Sequence, residues 1–308
     1  MLVRVWGCRG SYPVSGADFV RYGGNTACVE VQAGDTLVVL DAGTGMRPLG
    51  LSLSSPEHEA KIHRAHVLIT HTHWDHIVGF PFFKPLRDPH THITVYGLRR
   101  AEQKLEAMLL GSLGKPLFAV PLTAMPAKID FREVDVYESF AVAPDVQITT
   151  ARLNHPYRAI GYRVESPSGC LAYVTDTAPF DVILFGDEQV SWSNENRTLD
   201  AESQHTLDRM RQGVLDLCAG ADWVIYDTQF KPKEYAKRPH WGHSTPDHAI
   251  ELALEAGARH LILSHHDPHR TDTEIDDIEA VYRAKAAEGG LMLSASHEGL
   301  TLTGKLGK

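Results

Sequence analysis

Four side chains that can bind a metal ion lie within six residues, in the segment HTHWDH at positions 71–76. His71 and His73 are two residues apart, so in an extended chain they point the same way and can share one ion. Asp75 and His76 follow where the chain turns, and this offset suits a second ion beside the first. Two adjacent ions can lower the pKa of a shared water toward neutrality. The segment therefore predicts a metal site that activates water.

Other metal-competent residues recur at the ends of predicted β-strands. Imidazole and carboxylate are ligands that zinc accepts, and catalytic zinc sites keep one position open for water. A rigid strand end also places a ligand better than a floppy loop does. One histidine at a strand end is commonly structural, but recurrence after several apolar strands favours a shared site. In addition to His71, which follows one predicted strand, these residues are Asp41, His155, Asp176 and His265.

The composition is that of a folded globular protein with an excess of histidine, since 18 of the 308 residues are histidines. The net charge of −9 argues against a nucleic-acid-binding protein held by bulk charge. No segment approaches the roughly 18 consecutive apolar residues of a membrane helix, and the N-terminus lacks the layout of a signal peptide. Four widely spaced cysteines favour buried free thiols in a reducing cytoplasm. We therefore expect a cytoplasmic protein without a membrane partner.

Strand patterns dominate the first half of the sequence, and strands alternate with helices in the second half. This order predicts one compact α/β domain over residues 1–308, with sheets between helices. Polar composition predicts an inserted loop at Gly186–Ser203, and glycine and proline predict another loop at Gly111–Pro126. The predicted strands are Leu2–Trp6, Ala27–Val31, Thr36–Leu40, Val67–Thr70, His92–Tyr96, Gln147–Leu153, Ile160–Glu165, Leu171–Thr175, Trp223–Tyr226 and Leu261–Ser264, and the predicted helices are Arg99–Leu110, His205–Cys218, Pro246–Ala256 and Asp272–Ala287.

The chain resembles the metallo-β-lactamase superfamily, because HTHWDH matches the HxHxDH signature and the downstream residues follow in the order typical of that family. The resemblance extends from GCRGSYPVSG at positions 7–16 to the strand that ends at His265. It implies a four-layer αββα sandwich with a dinuclear site along one edge of two sheets. Zinc is the expected metal for a histidine-rich site, with manganese and iron as alternatives.

The resemblance also implies a role for each of the residues above. Asp41 would support the histidine segment without binding metal. His266 is adjacent to His265 and could take its place as a ligand, although His265 is the first residue after the apolar run. The implied ligands are His71, His73 and His155 for the first ion, Asp75, His76 and His265 for the second ion, and Asp176 as the bridge.

Two positions separate the chain from other branches of this family. Asp176 stands where the well-known zinc β-lactamases have cysteine, which argues against penicillin cleavage. His73 stands where di-iron oxidoreductases of this fold have glutamate. The second departure favours hydrolysis over electron transfer.

The segment HWGHSTPDHA at 240–249 resembles the GHST element of ribonuclease Z and related phosphodiesterases. The resemblance implies that His243 faces the leaving group and that Asp227, in the place of a glutamate, orients it. The expected catalytic residues are therefore Asp75, His243 and Asp227. Alternatively, His243 only caps the next helix or packs on Trp241.

The expected substrate is a small phosphodiester, for example a cyclic one. The RNA-gripping arm of ribonuclease Z lies between positions that match His155 and Asp176, and only 20 residues separate them here, so tRNA is an unlikely substrate. A different possibility is a hydrolase of carboxylic esters, lactones or thioesters, because the same activated water attacks carbonyls. A third is a non-catalytic module that binds a ligand through its metals. Relatives of this fold often dimerise, so a homodimer is also an expectation.

Overall fold

The computed structural model describes residues 1–55, 63–114, 120–181 and 201–305. Its strands are β1 (Leu2–Gly7), β2 (Cys28–Ala33), β3 (Thr36–Leu40), β4 (Arg64–Leu68), β5 (His92–Leu98), β6 (Lys128–Val134), β7 (Ser139–Ala143), β8 (Val146–Arg152), β9 (Ile160–Ser166), β10 (Gly169–Val174), β11 (Trp223–Asp227), β12 (His260–Ser264), β13 (Met292–Ala295) and β14 (Thr301–Thr303). Its α-helices are α1 (Met46–Leu53), α2 (Trp74–Ile77), α3 (Leu105–Ser112), α4 (Ala201–Cys218), α5 (Pro232–Tyr235), α6 (Pro246–Glu255) and α7 (Asp272–Glu288).

The chain divides into two compact units that are not continuous in sequence. Unit 1 comprises Met1–Asp135, Val142–Val146 and Ser296–Gly304. Unit 2 comprises Val136–Ala141 and Gln147–Ala295, with the C-terminal residues from Lys305. The expectation of a single domain over residues 1–308 stays a prediction.

Unit 1 is built on a seven-stranded mixed sheet in the order β14-β1-β2-β3-β4-β5-β6. Strands β3 to β6 are parallel, whereas β14, β1, β2 and β3 pair antiparallel with one another. One face of the sheet carries branched side chains such as Val39 and Val67, which share a buried cluster with Met46 and Leu49 of α1. Because parallel strands end at the same edge, the residues that follow β3 and β4 are brought close together.

Unit 2 contains a second seven-stranded mixed sheet, in the order β13-β12-β11-β10-β9-β8-β7. Strands β10 to β13 are parallel, and β8, β9 and β10 are antiparallel. Residues Val224 and Leu263 of the sheet share a buried cluster with Val214 of α4 and Leu252 of α6. The three parallel strands β10, β11 and β12 end at one edge, and each is followed or terminated by a polar residue of the predicted site.

Several sequence predictions need correction. Strand β4 ends at Leu68, so His71 lies three residues beyond the strand and not directly at its end. The helix expected from Arg99 begins at Leu105, and α4 begins at Ala201. Of the expected inserted loop Gly186–Ser203, residues 186–200 lie outside the described residues and the last three belong to α4. The loop Gly111–Pro126 includes a short 3-10 turn at Leu122–Ala124, and residues 115–119 also lie outside the described ranges.

Other predictions are confirmed. Both predicted helix starts are present: the Thr245 hydroxyl accepts a hydrogen bond from the His248 amide, and Thr271 forms a capping box with Glu274. The cysteines Cys8, Cys28, Cys170 and Cys218 are free and buried. Burial raises the pKa of the Cys218 thiol to about 12, so this thiol is not a nucleophile at neutral pH. In the part of the chain that the structure describes, no helix has the length and apolar character needed to cross a membrane.

Candidate metal-binding and catalytic site

In unit 1, the HTHWDH segment forms a cluster around a buried carboxylate, Asp41. One oxygen of Asp41 accepts hydrogen bonds from the Thr70 amide and hydroxyl, at 2.8 and 3.0 Å. The other oxygen lies 2.8 Å from Nδ1 of His76, which is completely buried. The Thr70 hydroxyl is also 3.0 Å from Nδ1 of His71. Asp41 thus fixes the orientation of His76 directly and of His71 through Thr70.

The remaining residues of the segment converge with these two histidines. Nε2 of His71 lies 2.9 Å from Nδ1 of His73, and the His71 and His76 ring centroids are 4.2 Å apart. Asp75 lies 3.2 Å from Nε2 of His76 and accepts a hydrogen bond of 2.8 Å from the Ser11 amide. All four predicted ligands of unit 1 therefore lie side by side, as their spacing in the sequence predicts.

In unit 2, Asp176 lies between two of the predicted histidine ligands. Its Oδ1 is 3.0 Å from Nε2 of His265, and its Oδ2 is 3.8 Å from Nε2 of His155. The Thr175 hydroxyl donates to Oδ1 at 2.8 Å and fixes the carboxylate. One carboxylate oxygen thus faces each histidine, which is the arrangement that a bridging ligand needs.

Both histidines of unit 2 are held through Nδ1. The His155 Nδ1 lies 2.9 Å from the carbonyl oxygen of Gly242, and the His265 Nδ1 lies 2.9 Å from the side-chain oxygen of Gln229. A ligating histidine commonly donates one ring N–H to an oxygen acceptor, which leaves the other nitrogen to bind the metal. The same Nδ1 pattern holds for His71 and His76 in unit 1. These four histidines therefore leave Nε2 available for a divalent metal ion, whereas His73 presents Nδ1 toward Nε2 of His71.

Left-handed backbone conformations occur at three residues that follow strands. Asp41, Asp176 and His265 have φ values of 59°, 53° and 58°. Side chains other than glycine adopt this region at a cost, and such residues cluster at functional sites. The conformation turns the chain sharply, directly after β3 and β12 and two residues after β10. This strain supports a functional role for these strand ends.

His243 and Asp227 form a pair beside His265. The Asp227 carboxylate lies 2.9 Å from Nδ1 of His243, and it also accepts hydrogen bonds from the amides of Thr177 and Gln229. The His243 and His265 rings are stacked at 5.0 Å. Aspartate in place of the longer glutamate therefore still reaches the histidine, and both residues are buried.

Position 242, next to this pair, has room only for glycine because the ring of His155 packs against it. Its φ is 85°, and a Cβ atom there would lie 2.3 Å from Nδ1 of His155. Its carbonyl group is the acceptor that orients His155. The GHST element is thus joined to a predicted metal ligand through one glycine.

The groups that orient the ligands were not predictable from the sequence. Gln229 lies in the segment IYDTQF, two residues after Asp227, but its side-chain type gave no signal of a role. Thr70 directly precedes the histidine segment, and a hydroxyl there has many ordinary uses. The carbonyl group of Gly242 has no sequence signature at all.

Of the two adjacent histidines, His265 is the one that faces Asp176. His266 instead lines a small cavity together with Thr228, Asp267 and Arg270. This placement supports His265 as the ligand in unit 2.

Comparisons with known proteins identify the family and the fold. A model described as the β-lactamase superfamily domain matches residues 36–192. A ribonuclease Z from Exiguobacterium sibiricum is 27% identical over 260 residues, which cover 77% of this chain and 82% of that protein. The short form of human tRNase Z has a TM-score of 0.65 at 16% identity and covers 99% of this chain and 100% of its own. A diphosphatase from the PhnP family has a TM-score of 0.60 at 18% identity, with 99% and 98% covered. The expected αββα fold class is confirmed.

Proposed function

Because the chain belongs to the metallo-β-lactamase superfamily and is a metal-dependent hydrolase of that fold, we propose that it hydrolyses small phosphodiesters at a centre of two divalent ions. The observation that carries the choice of phosphodiesters is the Asp227–His243 pair of the GHST element, with 2.9 Å between carboxylate oxygen and Nδ1. A cleaved phosphodiester releases an alkoxide, which needs a proton or a nearby positive charge as it departs.

The proposed metal ligands are those that the family resemblance implies. Support comes from the Nδ1 hydrogen bonds of the histidines and from Asp176, whose two oxygens face His155 and His265. Bound ions would activate water and neutralise charge on the phosphate. Imidazole-rich ligation favours zinc, although manganese or iron could also bind. The proposed set is His71, His73 and His155 for one ion, Asp75, His76 and His265 for the other, and Asp176 between them.

The residues of the chain itself have four proposed tasks. Asp227 holds Nδ1 of His243 and fixes the orientation of its ring. Since Nδ1 is engaged, the proton for the leaving alkoxide comes from Nε2 of His243. Asp75, held by the Ser11 amide, accepts a hydrogen bond from the attacking water as well as binding metal. Gln229 and the Gly242 carbonyl keep the histidine rings in place.

RNA is a second candidate substrate. Relatives named ribonuclease Z match most of this chain, and one structure of the same fold is human tRNase Z. These names weaken the expectation that tRNA is an unlikely substrate, although the net charge of −9 gives little general attraction for a polyanion. A tRNA precursor therefore belongs in the substrate panel. Hydrolysis of carboxylic esters is a weaker candidate, and a homodimer stays a prediction. The alternative of a non-catalytic module is set aside, because the relatives are hydrolases.

The test combines a metal count with a comparison of leaving groups. We expect two metals per chain and turnover of bis-p-nitrophenyl phosphate in excess of a p-nitrophenyl carboxylic ester. The variant His243→Ala should keep both metals and should lose roughly 10²-fold or more in kcat on a diester with an aliphatic alcohol as leaving group. The loss on p-nitrophenyl diesters should be smaller, because nitrophenolate departs without a proton. Equal losses on both leaving groups would contradict the role of His243, and ester turnover indifferent to His243 would favour a carboxylic hydrolase.

A further inference from the structure

The segment Lys231–Trp241, which we term the basic loop, lies between the two catalytic elements of unit 2. It follows Phe230 and precedes Gly242, and it contains three lysines, one arginine and one histidine. Its one acidic residue, Glu234, is bound by Arg270 through two contacts of 2.7 and 3.1 Å. The basic loop is therefore positive in a chain whose net charge is −9. Local charge of this sign attracts anionic ligands.

A backbone hydrogen bond and two contacts between aromatic rings hold the base of the loop next to His243. The Phe230 amide donates a hydrogen bond of 3.0 Å to the Ser244 carbonyl, on the far side of the loop. The Phe230 ring contacts the His243 ring edge to face, with centroids 5.7 Å apart. The same ring lies 6.3 Å from the ring of Trp241. The two aromatic residues at the ends of the loop thus form a platform beside His243.

Arg238 lies over this platform. Its guanidinium group is 5.0 Å from the Trp241 ring and 5.8 Å from the Phe230 ring. Within the described ranges, no carboxylate lies within ion-pair distance of Arg238. Stacking on an aromatic face fixes the plane of a guanidinium and leaves its N–H groups at the edge, where they can bind phosphate oxygens in pairs. An exposed arginine held in this way is prepared to bind an anion.

We propose that Arg238 binds a second phosphoryl group of the substrate, on the leaving-group side of the bond that is cleaved. This inference rests on the proposed function, because Phe230 connects Arg238 to the histidine that is proposed to protonate the leaving group. It specifies the substrate class as a phosphodiester whose leaving alcohol carries a further phosphate. Nucleotides and sugars with two phosphates have this chemistry, whereas a simple diester has only one negative charge.

The test measures binding of two ligands that differ by one phosphate. Thymidine 3′,5′-bisphosphate and thymidine 5′-monophosphate are titrated by calorimetry into the purified protein with its metals as isolated. We expect the native protein to bind the bisphosphate at least about five-fold more tightly, because a guanidinium–phosphate contact is charge-assisted. Arg238→Ala should bind both ligands about equally. Arg238→Lys should retain part of the preference, because it keeps the charge but loses the planar fork.

Lys233→Ala is the matched control, since it removes one positive charge from the same loop. It should retain the full preference for the bisphosphate. A preference that survives Arg238→Ala, a native protein that does not discriminate, or an equal loss in Lys233→Ala would each overturn the assignment to Arg238. Thermal melting of the variants verifies that they fold.

The proposed function and this inference fail in different ways. If bis-p-nitrophenyl phosphate is not cleaved but the bisphosphate preference depends on Arg238, the phosphodiesterase proposal is wrong and the anion site stands. If the diester is cleaved and the preference does not depend on Arg238, the inference alone is wrong.

Discussion

Asp41 is buried and binds no substrate in the proposed reaction, yet two of the proposed ligand histidines depend on it. It contacts Nδ1 of His76 directly and reaches His71 through the Thr70 hydroxyl. Such carboxylate–histidine contacts fix the tautomer of the ring and raise its basicity as a ligand. The affinity for metal should therefore depend on the charge of Asp41 as well as on its position.

We predict that Asp41→Asn weakens metal binding by roughly 10- to 100-fold. The amide keeps one oxygen for Thr70, but its NH₂ group cannot accept a hydrogen bond from Nδ1 of His76. Competition with a chelator would measure the effect. Asp130→Asn is the control, because Asp130 also pairs with a histidine of unit 1, His92, outside the site. Native affinity in Asp41→Asn would contradict the prediction.

His248 is a buried histidine that the proposed reaction does not use. It lies on α6, and Nδ1 is 2.9 Å from the Ser244 hydroxyl. Burial, together with the charge of Arg211, lowers the pKa of His248 to about 4. The imidazole is therefore neutral in the folded protein at pH 5, whereas an unfolded chain would be protonated there.

We predict that His248 makes folding less stable as the pH falls. Its folded pKa lies below the unfolded value of about 6.5, so its contribution is complete above pH 6.5 and decreases toward pH 4. The total change is about 3 kcal/mol at most. Denaturant unfolding between pH 7 and 4.5, in the presence of a chelator, measures the slope. His248→Gln should have a clearly smaller slope than the native protein, and an unchanged slope would count against the assignment.

At the scale of elements, helices α6 and α7 begin with the same kind of cap but lie in different surroundings. Thr245 accepts a hydrogen bond from the His248 amide and is two residues from His243. Thr271 forms a capping box with Glu274 and is not part of the GHST element. Removing each cap in turn therefore distinguishes an effect on stability, expected for both caps, from an effect on the position of His243, expected only for Thr245.

We predict that Thr245→Ala and Thr271→Ala each lower the free energy of unfolding by about 1 kcal/mol. Only Thr245→Ala should also lower kcat, because loss of its cap loosens the first turn that follows His243. Denaturant unfolding and phosphodiester turnover, measured on both variants, test the difference. An equal effect on kcat would show that the cap does not act locally.

The elements that the sequence predicted well are those with a strong apolar pattern. Strand β3 matches its prediction to the residue, and β9 and β12 differ by one residue at one end. Strand β6 was missed because KIDFREV mixes charged and apolar residues, as is common for the last strand of a sheet. Helix α1 was missed because it contains Pro48 and Gly50 and has no side-chain cap. Tertiary packing, which a local pattern does not contain, decides these segments.

The site was predictable in its residue types but not in its supporting contacts. The proposed ligands were identified because histidine and aspartate recur after strands in the order of a known family. The hydrogen bond from His155 to the Gly242 carbonyl joins residues 87 positions apart, and a backbone carbonyl is the same for every residue. Nothing in local spacing indicates such a partner.

At the scale of the whole molecule, the chain returns to unit 1 after completing unit 2. Residues Ser296–Gly304 belong to unit 1, where β14 pairs with β1. The Glu298 carboxylate accepts hydrogen bonds from the amide and the side chain of Asn25, at 2.7 and 2.9 Å. Strand β14 thus completes the sheet that contains the first residues of the sequence.

We predict that a chain ending at Ala295 is less stable, with a melting temperature lower by roughly 5 °C or more. It exposes the edge of β1, which favours aggregation, and leaves Asn25 without Glu298. A chain that lacks only residues 305–308 keeps β14 and is the control. Thermal melting and light scattering compare the three proteins, and equal melting temperatures would show that β14 is dispensable.

Gly242 has a consequence for how proteins with this site can diverge. Any side chain there would collide with the ring of His155, and the carbonyl group of Gly242 orients the same ring. A substitution of Gly242 would therefore displace the ring of His155, so single mutations at this position cannot shift His243 without disturbing His155. If the proposed role of Arg238 holds, adaptation to larger or more highly charged leaving groups is expected in the basic loop, where Lys233 and Arg238 are exposed. Related proteins with different substrates should vary in that loop while Gly242 stays glycine.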